Sequence, residues 1–240
     1  MPDSLVIYSY TFIETVQIDT NHSFSHAPTA THSLLTIQQH MLSLYRHLRT
    51  NAGGQNLNRE WAPSVDKDGN DYDAPTLERS PEVYHVLHKM DETGVDAFLD
   101  VHGDVELPFN FLSLNEGMPN WEPRLKSLTG AFLGAYCRAN PDMQKNIGYE
   151  PEEASKGMKQ ICSNQIAFRF DCMAGTLEMP FKDCMSNPDP ERGWSPGRAK
   201  QLGASVLEPL LYVHPYLRAE GEFWKEFGPD DEYVRPTEKY

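Results

Sequence analysis

The chain has 240 residues, of which 39% are hydrophobic, and carries a formal net charge of −14. That length suits one large domain or two small ones, with enough apolar residues for a real core. The acidic balance argues against a nucleic-acid or anionic-membrane partner, because phosphate binding needs a basic surface, and no apolar run reaches the roughly 18 residues that a membrane span requires.

Met1–Tyr10 lacks the basic start and long apolar centre of a signal peptide. Cys137, Cys162, Cys172 and Cys184 form no Cys-x-x-Cys pair and read as free thiols in a reducing compartment, so a cytoplasmic location is expected. Residues 1–45 contain no Lys or Arg and hold His22, His26, His32 and His40 at irregular spacing, with no acid close after any of them. Strands are expected from Val6-Ile7-Tyr8 and Phe12-Ile13. A helix is expected over Ser33–Leu48, from the recurrence of Leu34, Leu35, Ile37, Met41, Leu44 and Leu48.

Arg49–Trp61 is rich in Asn, Gly and Arg and predicts a polar loop. Paired Arg and Asn suit the capture of a carboxylate, since a guanidinium matches two carboxylate oxygens and an amide adds a donor. A plain exposed turn is the competing reading. Pro63–Leu77 reads as loop. Ser80-Pro81-Glu82 is a helix start, Val83, Val86, Leu87 and Met90 make its buried stripe, and Gly94 ends it. His85 and His88, one turn apart, could pair on a metal, but with no third ligand evident nearby the plainer reading is surface histidines.

Val95–Val101 reads as an inner strand running into His102-Gly103-Asp104, where an α/β fold collects its functional residues; the competing reading of His102 is a buried, hydrogen-bonded structural histidine. Phe109–Leu114 reads as the next strand and Trp121–Ala139 as a helix. Asn140–Gln160 is irregular and long enough to be functional. Ile161–Phe170 fits either a strand or a helix. Ala174–Phe181 reads as a strand with Glu178 among apolar neighbours, a setting that disfavours the charged form and suits a general base; the competing reading turns Glu178 to solvent. Ser195-Pro196 starts a last helix with Leu202, Val206, Leu210 and Leu211 inward, and Pro209 is expected to kink it. Glu220–Tyr240 is a charged, aromatic tail.

Three signals stand in one order: Arg49…Asn58-Arg59-Glu60-Trp61, then Asp100-Val101-His102-Gly103, then Thr176-Leu177-Glu178-Met179-Pro180-Phe181-Lys182-Asp183. Together with Gly193-Trp194-Ser195-Pro196 they resemble the zinc metallocarboxypeptidases of the carboxypeptidase A superfamily, in particular the cytosolic carboxypeptidase branch and its bacterial relatives. The resemblance covers about residues 46–215. It implies an α/β fold with a central mixed sheet and helices on both faces, and leaves open whether the early strands are present. The expected division is a divergent segment 1–45, a partial catalytic domain 46–218 and the tail 219–240.

The resemblance also implies roles. Asn58 and Arg59 resemble the pair that binds the C-terminal carboxylate of a peptide. Arg49 resembles the arginine that holds the oxyanion, His102 the third zinc ligand, and Glu178 the base that activates the metal-bound water. Tyr149 is the nearest candidate for the family's mobile tyrosine. The implied cofactor is Zn2+, and the implied partner is the C-terminus of a peptide or protein. The branch implies a preference for acidic C-terminal residues; Lys156 and Lys159 are candidates to meet such a side chain, against the plainer reading of solvated lysines.

One departure stands out. The family's first two zinc ligands come from a His-x-x-Glu motif ahead of the Asn-Arg pair, and this chain contains no His-x-x-Glu. The nearest pattern, His88-x-x-Asp91, lies after the pair and inside a helix. A catalytic zinc takes three protein ligands, and only one is assigned. Two readings follow: a shortened or frame-shifted form of a longer gene product, or a protein that binds peptide ends without cutting them.

Overall fold

The computed structural model describes the backbone of residues 6–11 and 33–38, and residues 50–66 and 68–239. Its centre is a five-stranded sheet in the order β2-β1-β5-β7-β6, built from β1 (Val6–Thr11), β2 (Ser33–Gln38), β5 (Ala97–Asp104), β6 (Phe111–Ser113) and β7 (Met173–Pro180). Four strands run parallel, and the edge strand β6 pairs antiparallel with β7, so the sheet is mixed as expected. A small hairpin of β3 (Ser64–Val65) and β4 (Asp71–Tyr72) lies outside it.

Alternation along the two central strands supplies both faces. Ala97 in β5 and Met173, Leu177 and Met179 in β7 join one core with α2 (Pro123–Ala139), α4 (Pro196–Ser205) and α5 (Leu207–Val213). Phe98 and Ala174 join a second core with α1 (Pro81–Thr93) and α3 (Cys162–Phe170), where Leu57, Trp61, Val83, Met90 and Ile166 are almost fully buried. Truncating such a residue to Ala costs about 2–5 kcal/mol, so either layer holds the sheet firmly.

Several sequence expectations are corrected. Ser33–Gln38 is strand, not the start of a helix: Leu34, Leu35 and Ile37 pair in register with Ile7, Tyr8 and Tyr10, and a ladder along a parallel neighbour outweighs a short helical pattern. The rest of that expected helix, the Phe12-Ile13 strand and the histidines His22, His26, His32 and His40 lie outside the described residues. β5 runs three residues beyond the expected end, through His102 to Asp104. Ile161–Phe170 resolves to helix α3. The last helix breaks at Val206 rather than kinking at Pro209, because Pro209 falls in the first turn of α5, where its missing N–H costs nothing. Ser80 does not cap α1 through its side chain; its hydroxyl donates instead to Glu60 at 3.0 Å. The four cysteines are free, as expected. No helix among the described residues is long and apolar enough to cross a membrane.

Candidate active site

The site residues gather at the carboxyl end of β5 and β7. Parallel pairing sets Asp100 beside Thr176, His102 beside Glu178 and Asp104 beside Pro180. Since side chains alternate, Asp100, His102 and Asp104 share the face of Phe98, and Thr176 and Glu178 share the face of Ala174. That is the α1/α3 face, and the 2.9 Å contact between Ser163 Oγ of α3 and Thr176 Oγ1 marks it. His102 and Glu178, 76 positions apart in sequence, are therefore lateral neighbours on one face. Both are buried, at 8% and 7% exposure.

Asp100 is fully buried, and its Oδ2 lies 2.8 Å from His102 Nε2. The contact lacks hydrogen-bond geometry, and among the described residues no donor reaches either Asp100 oxygen. A buried carboxylate is costly unless an oppositely polarised group lies beside it, and the His102 ring is the group placed there. Asp104 closes the row, its Oδ2 accepting the Leu107 N–H at 2.7 Å.

Asn58 sits in a 3-10 turn, Leu57–Arg59, that Asn56 caps by accepting the Asn58 N–H. Its amide oxygen accepts the N–H of Cys162, the first residue of α3, at 2.8 Å. Asn58 thus supplies the start of α3 with an acceptor that Ile161 does not provide. With the oxygen turned toward α3, the amide N–H groups are the donors that a carboxylate needs. Burial raises the Cys162 thiol well above its ordinary value, and the Asp100 charge adds to the effect. Asn58, the start of α3, Asp100 and His102 therefore form one continuous group.

Arg59 is half-buried and donates from Nη1 to the Asn58 carbonyl at 2.7 Å. Its charge also reaches the Tyr72 hydroxyl on β4. That phenol is raised mainly by its hydrogen bond to Asp66, and Arg59 opposes the rise. Glu60, next in sequence, accepts from Arg79 Nε at 2.6 Å and fixes the loop to the start of α1. Tyr149 stands on the other side. Its ring lies edge-on to Phe111 at 4.9 Å, and Phe111 pairs in register with Glu178. Burial pushes the Tyr149 phenol far up, and the Glu178 and Asp104 charges push it further, so all three groups share one neighbourhood.

The structure thus brings His102, Glu178 and Tyr149 together, and ties Asn58 and Arg59 to them through α3. Arg49 lies outside the described residues. Lys156 pairs with Glu153 and Lys159 stacks over the Phe168 ring, so both lysines already have partners. His88 Nδ1 contacts the Tyr84 carbonyl within α1. Asp100 and Asp104 were missed by sequence reasoning, although their spacing of two around His102 was the available signal. A polar cleft of about 650 Å³ lies along Asn140, Asp142, Asn187, Asp189 and Arg198, and none of its lining residues belongs to this site.

Similar proteins point the same way. The chain is 40% identical to a metallo-carboxypeptidase from Pseudomonas aeruginosa solved in complex with (2-guanidinoethylmercapto)succinic acid, with a TM-score of 0.65 over 71% of this chain and 42% of that one. This chain has a metallo-carboxypeptidase-like fold. A metallo-carboxypeptidase from Burkholderia cenocepacia shares 38% identity at a TM-score of 0.62, over 70% of this chain and 42% of that one. An uncharacterised protein of Zymomonas mobilis is 43% identical over 176 residues, 73% of this chain and 43% of its own length. No family model matches. The chain spans about two fifths of the length of the relatives it matches.

A carboxypeptidase-like fold implies a metal, and the donor set tests that implication. Among the described residues no group of three His, Cys, Asp or Glu side chains is placed to hold one. Among the described residues His102 is the only imidazole at the site, and its close companion Asp100 faces the ring nitrogen itself. The described residues do not fit a catalytic zinc, which takes three protein ligands.

Proposed function

We propose that this chain acts on the C-terminal end of peptides or proteins, as a peptide hydrolase of the metallo-carboxypeptidase kind, and that its described residues form the substrate-holding and proton-transfer part of that site. The observation that carries the reading is the register pairing of His102 with Glu178, joined through the start of α3 to an Asn58-Arg59 turn whose amide and guanidinium groups suit a carboxylate. Arg59 and the Asn58 amide N–H groups would bind the chain end and restrict attack to the last peptide bond by positioning it. Glu178, buried and close to the Tyr149 hydroxyl, would take a proton from attacking water and pass it to the leaving amine. Tyr149 would donate to the ligand, because its raised phenol keeps its proton. Zn2+ is the metal that the resemblance implies, and a preference for acidic C-terminal residues remains part of the same proposal.

A second reading has its own observation. The sequence holds no His-x-x-Glu, and the described residues offer no three-donor group. On that reading the chain binds peptide ends and does not cut them. One experiment separates the two. The purified chain is dialysed against Zn2+, analysed for metal, and incubated with a peptide library read by mass spectrometry. Loss of single C-terminal residues together with stoichiometric metal supports hydrolysis. Peptide binding without metal or cleavage leaves the binder standing. Absence of both cleavage and binding refutes both readings.

A further inference from the structure

Tyr149 is carried by Asn146–Glu150, a stretch without regular structure of its own. What holds it is the far C-terminal segment. Ile147 bridges Thr237 in a parallel pair. The Thr237 N–H donates to the Asn146 carbonyl at 3.0 Å, and the Gly148 N–H donates to the Thr237 carbonyl at 3.1 Å. A side chain on Gly148 would sit 3.1 Å from the Phe111 ring and 3.3 Å from Pro236, so the backbone just before Tyr149 is pinched between β6 and the tail.

The tail is itself anchored. Asp231 is buried, accepts the Tyr212 hydroxyl at 2.7 Å and pairs with Arg138 at 2.9 Å. A Cβ on Gly130 or Gly134 would lie 2.6 Å or 2.5 Å from the carbonyls of Asp231 and Asp230, so the tail backbone rests directly on α2. Tyr233 donates to Glu116 at 2.7 Å. The segment therefore runs as a strap from a rigid helix to the loop that carries Tyr149. Loops have little intrinsic order, and a phenol displaced by a few ångströms no longer meets its partners.

We propose that Pro236 and Thr237 are positioning residues for the candidate active site: the strap fixes Tyr149 beside Glu178 and Asp104, and so sets how tightly the carboxylate end of a ligand is held. The part concerning the ligand rests on the peptide-end reading above, and the part concerning Tyr149 does not.

The test uses the full chain. Thr237→Pro removes the N–H that reaches Asn146, whereas Thr237→Val keeps both backbone bonds. Tyrosine ring carbons are labelled and titrated by NMR, with Tyr149 assigned through Tyr149→Phe and buried Tyr136 as internal control. The expected result is that Thr237→Pro moves the Tyr149 midpoint down toward the exposed value of about 10, leaves Tyr136 unmoved, and is rescued in Thr237→Val. An unmoved Tyr149 overturns the proposal. If the proline variant does not fold, hydrogen exchange on the wild-type chain decides: slow Gly148 and Thr237 amides support the strap, and fast ones overturn it. With (2-guanidinoethylmercapto)succinic acid as probe, calorimetry should give a dissociation constant about tenfold higher for Thr237→Pro, a change equal to about 1.4 kcal/mol. An unchanged constant overturns the ligand part. A wild-type chain that does not bind the probe counts against the peptide-end reading, and titration and exchange still decide the strap.

Discussion

Replacing Asn58 by Ala should do two separable things, and Arg59→Ala should do only one of them. The Asn58 amide oxygen accepts the Cys162 N–H at 2.8 Å, and both residues are buried. Truncation leaves that N–H without an acceptor at the start of α3, where water has no access. An orphaned buried donor costs about 1–3 kcal/mol. For a chain of this size each kcal/mol moves Tm by roughly 2–4 °C, so a fall of about 2–12 °C is expected. Arg59 is half-exposed and its bond to the Asn58 carbonyl is local, so Arg59→Ala should cost under about 1 kcal/mol. Both variants should lose binding of a C-terminal carboxylate, because each removes a donor. Thermal and urea denaturation give the stability arm, and calorimetry with (2-guanidinoethylmercapto)succinic acid gives the binding arm. Asn58→Ala with wild-type stability would refute the account of α3. Arg59→Ala with wild-type affinity would remove Arg59 from the clamp.

Other expectations follow from single contacts. Glu178→Gln keeps shape and loses the proton acceptor, so peptide hydrolysis should fall roughly 10²–10⁴-fold while probe affinity stays within a few-fold; equal loss of both, measured by turnover and calorimetry, would point to a binding role. Arg198 pairs bidentately with Asp142, whose side chain is 6% exposed. Arg198→Ala leaves that carboxylate with the Asn187 amide but without its ion partner, and should cost about 3–5 kcal/mol in urea unfolding; a loss under about 1 would contradict the buried pairing. Burial raises the phenols of Tyr136, Tyr149 and Tyr233 above their ordinary value of 10.0. The folded protein then holds protons that the unfolded chain releases near pH 10, so this stability is complete below that pH and is lost as pH rises beyond it. Denaturation midpoints from pH 9 to 12 should fall, with a shallower fall in Tyr136→Phe; a flat profile would contradict the burial of these rings.

How much was legible can be followed residue by residue. α1 was readable because Ser80-Pro81 and Gly94 punctuate an apolar stripe, and these are local signals. β5 was readable as an apolar run, but its extension through His102 to Asp104 was not, since a neighbouring strand supplies the partners for those residues. Leu34, Leu35 and Ile37 misled, because their spacing also satisfies a helix and only pairing with β1 selects the strand. The tail read as charged and aromatic, with nothing to say that Thr237 would meet Asn146.

The ordered motifs determined the kind of site: a turn with amide and guanidinium donors, a histidine at a strand end and a carboxylate in an apolar strand. Those are chemical identities, and the chain order carries them. Tertiary structure decided which of them meet. His102 and Glu178 become neighbours only through parallel pairing of β5 with β7, Asp100 becomes a partner of His102 because alternation puts both on one face, and Tyr149 gains its place from a strap nearly ninety residues further on. Contacts of that separation are fixed by backbone ladders and helix packing across the whole domain, and no local pattern encodes them.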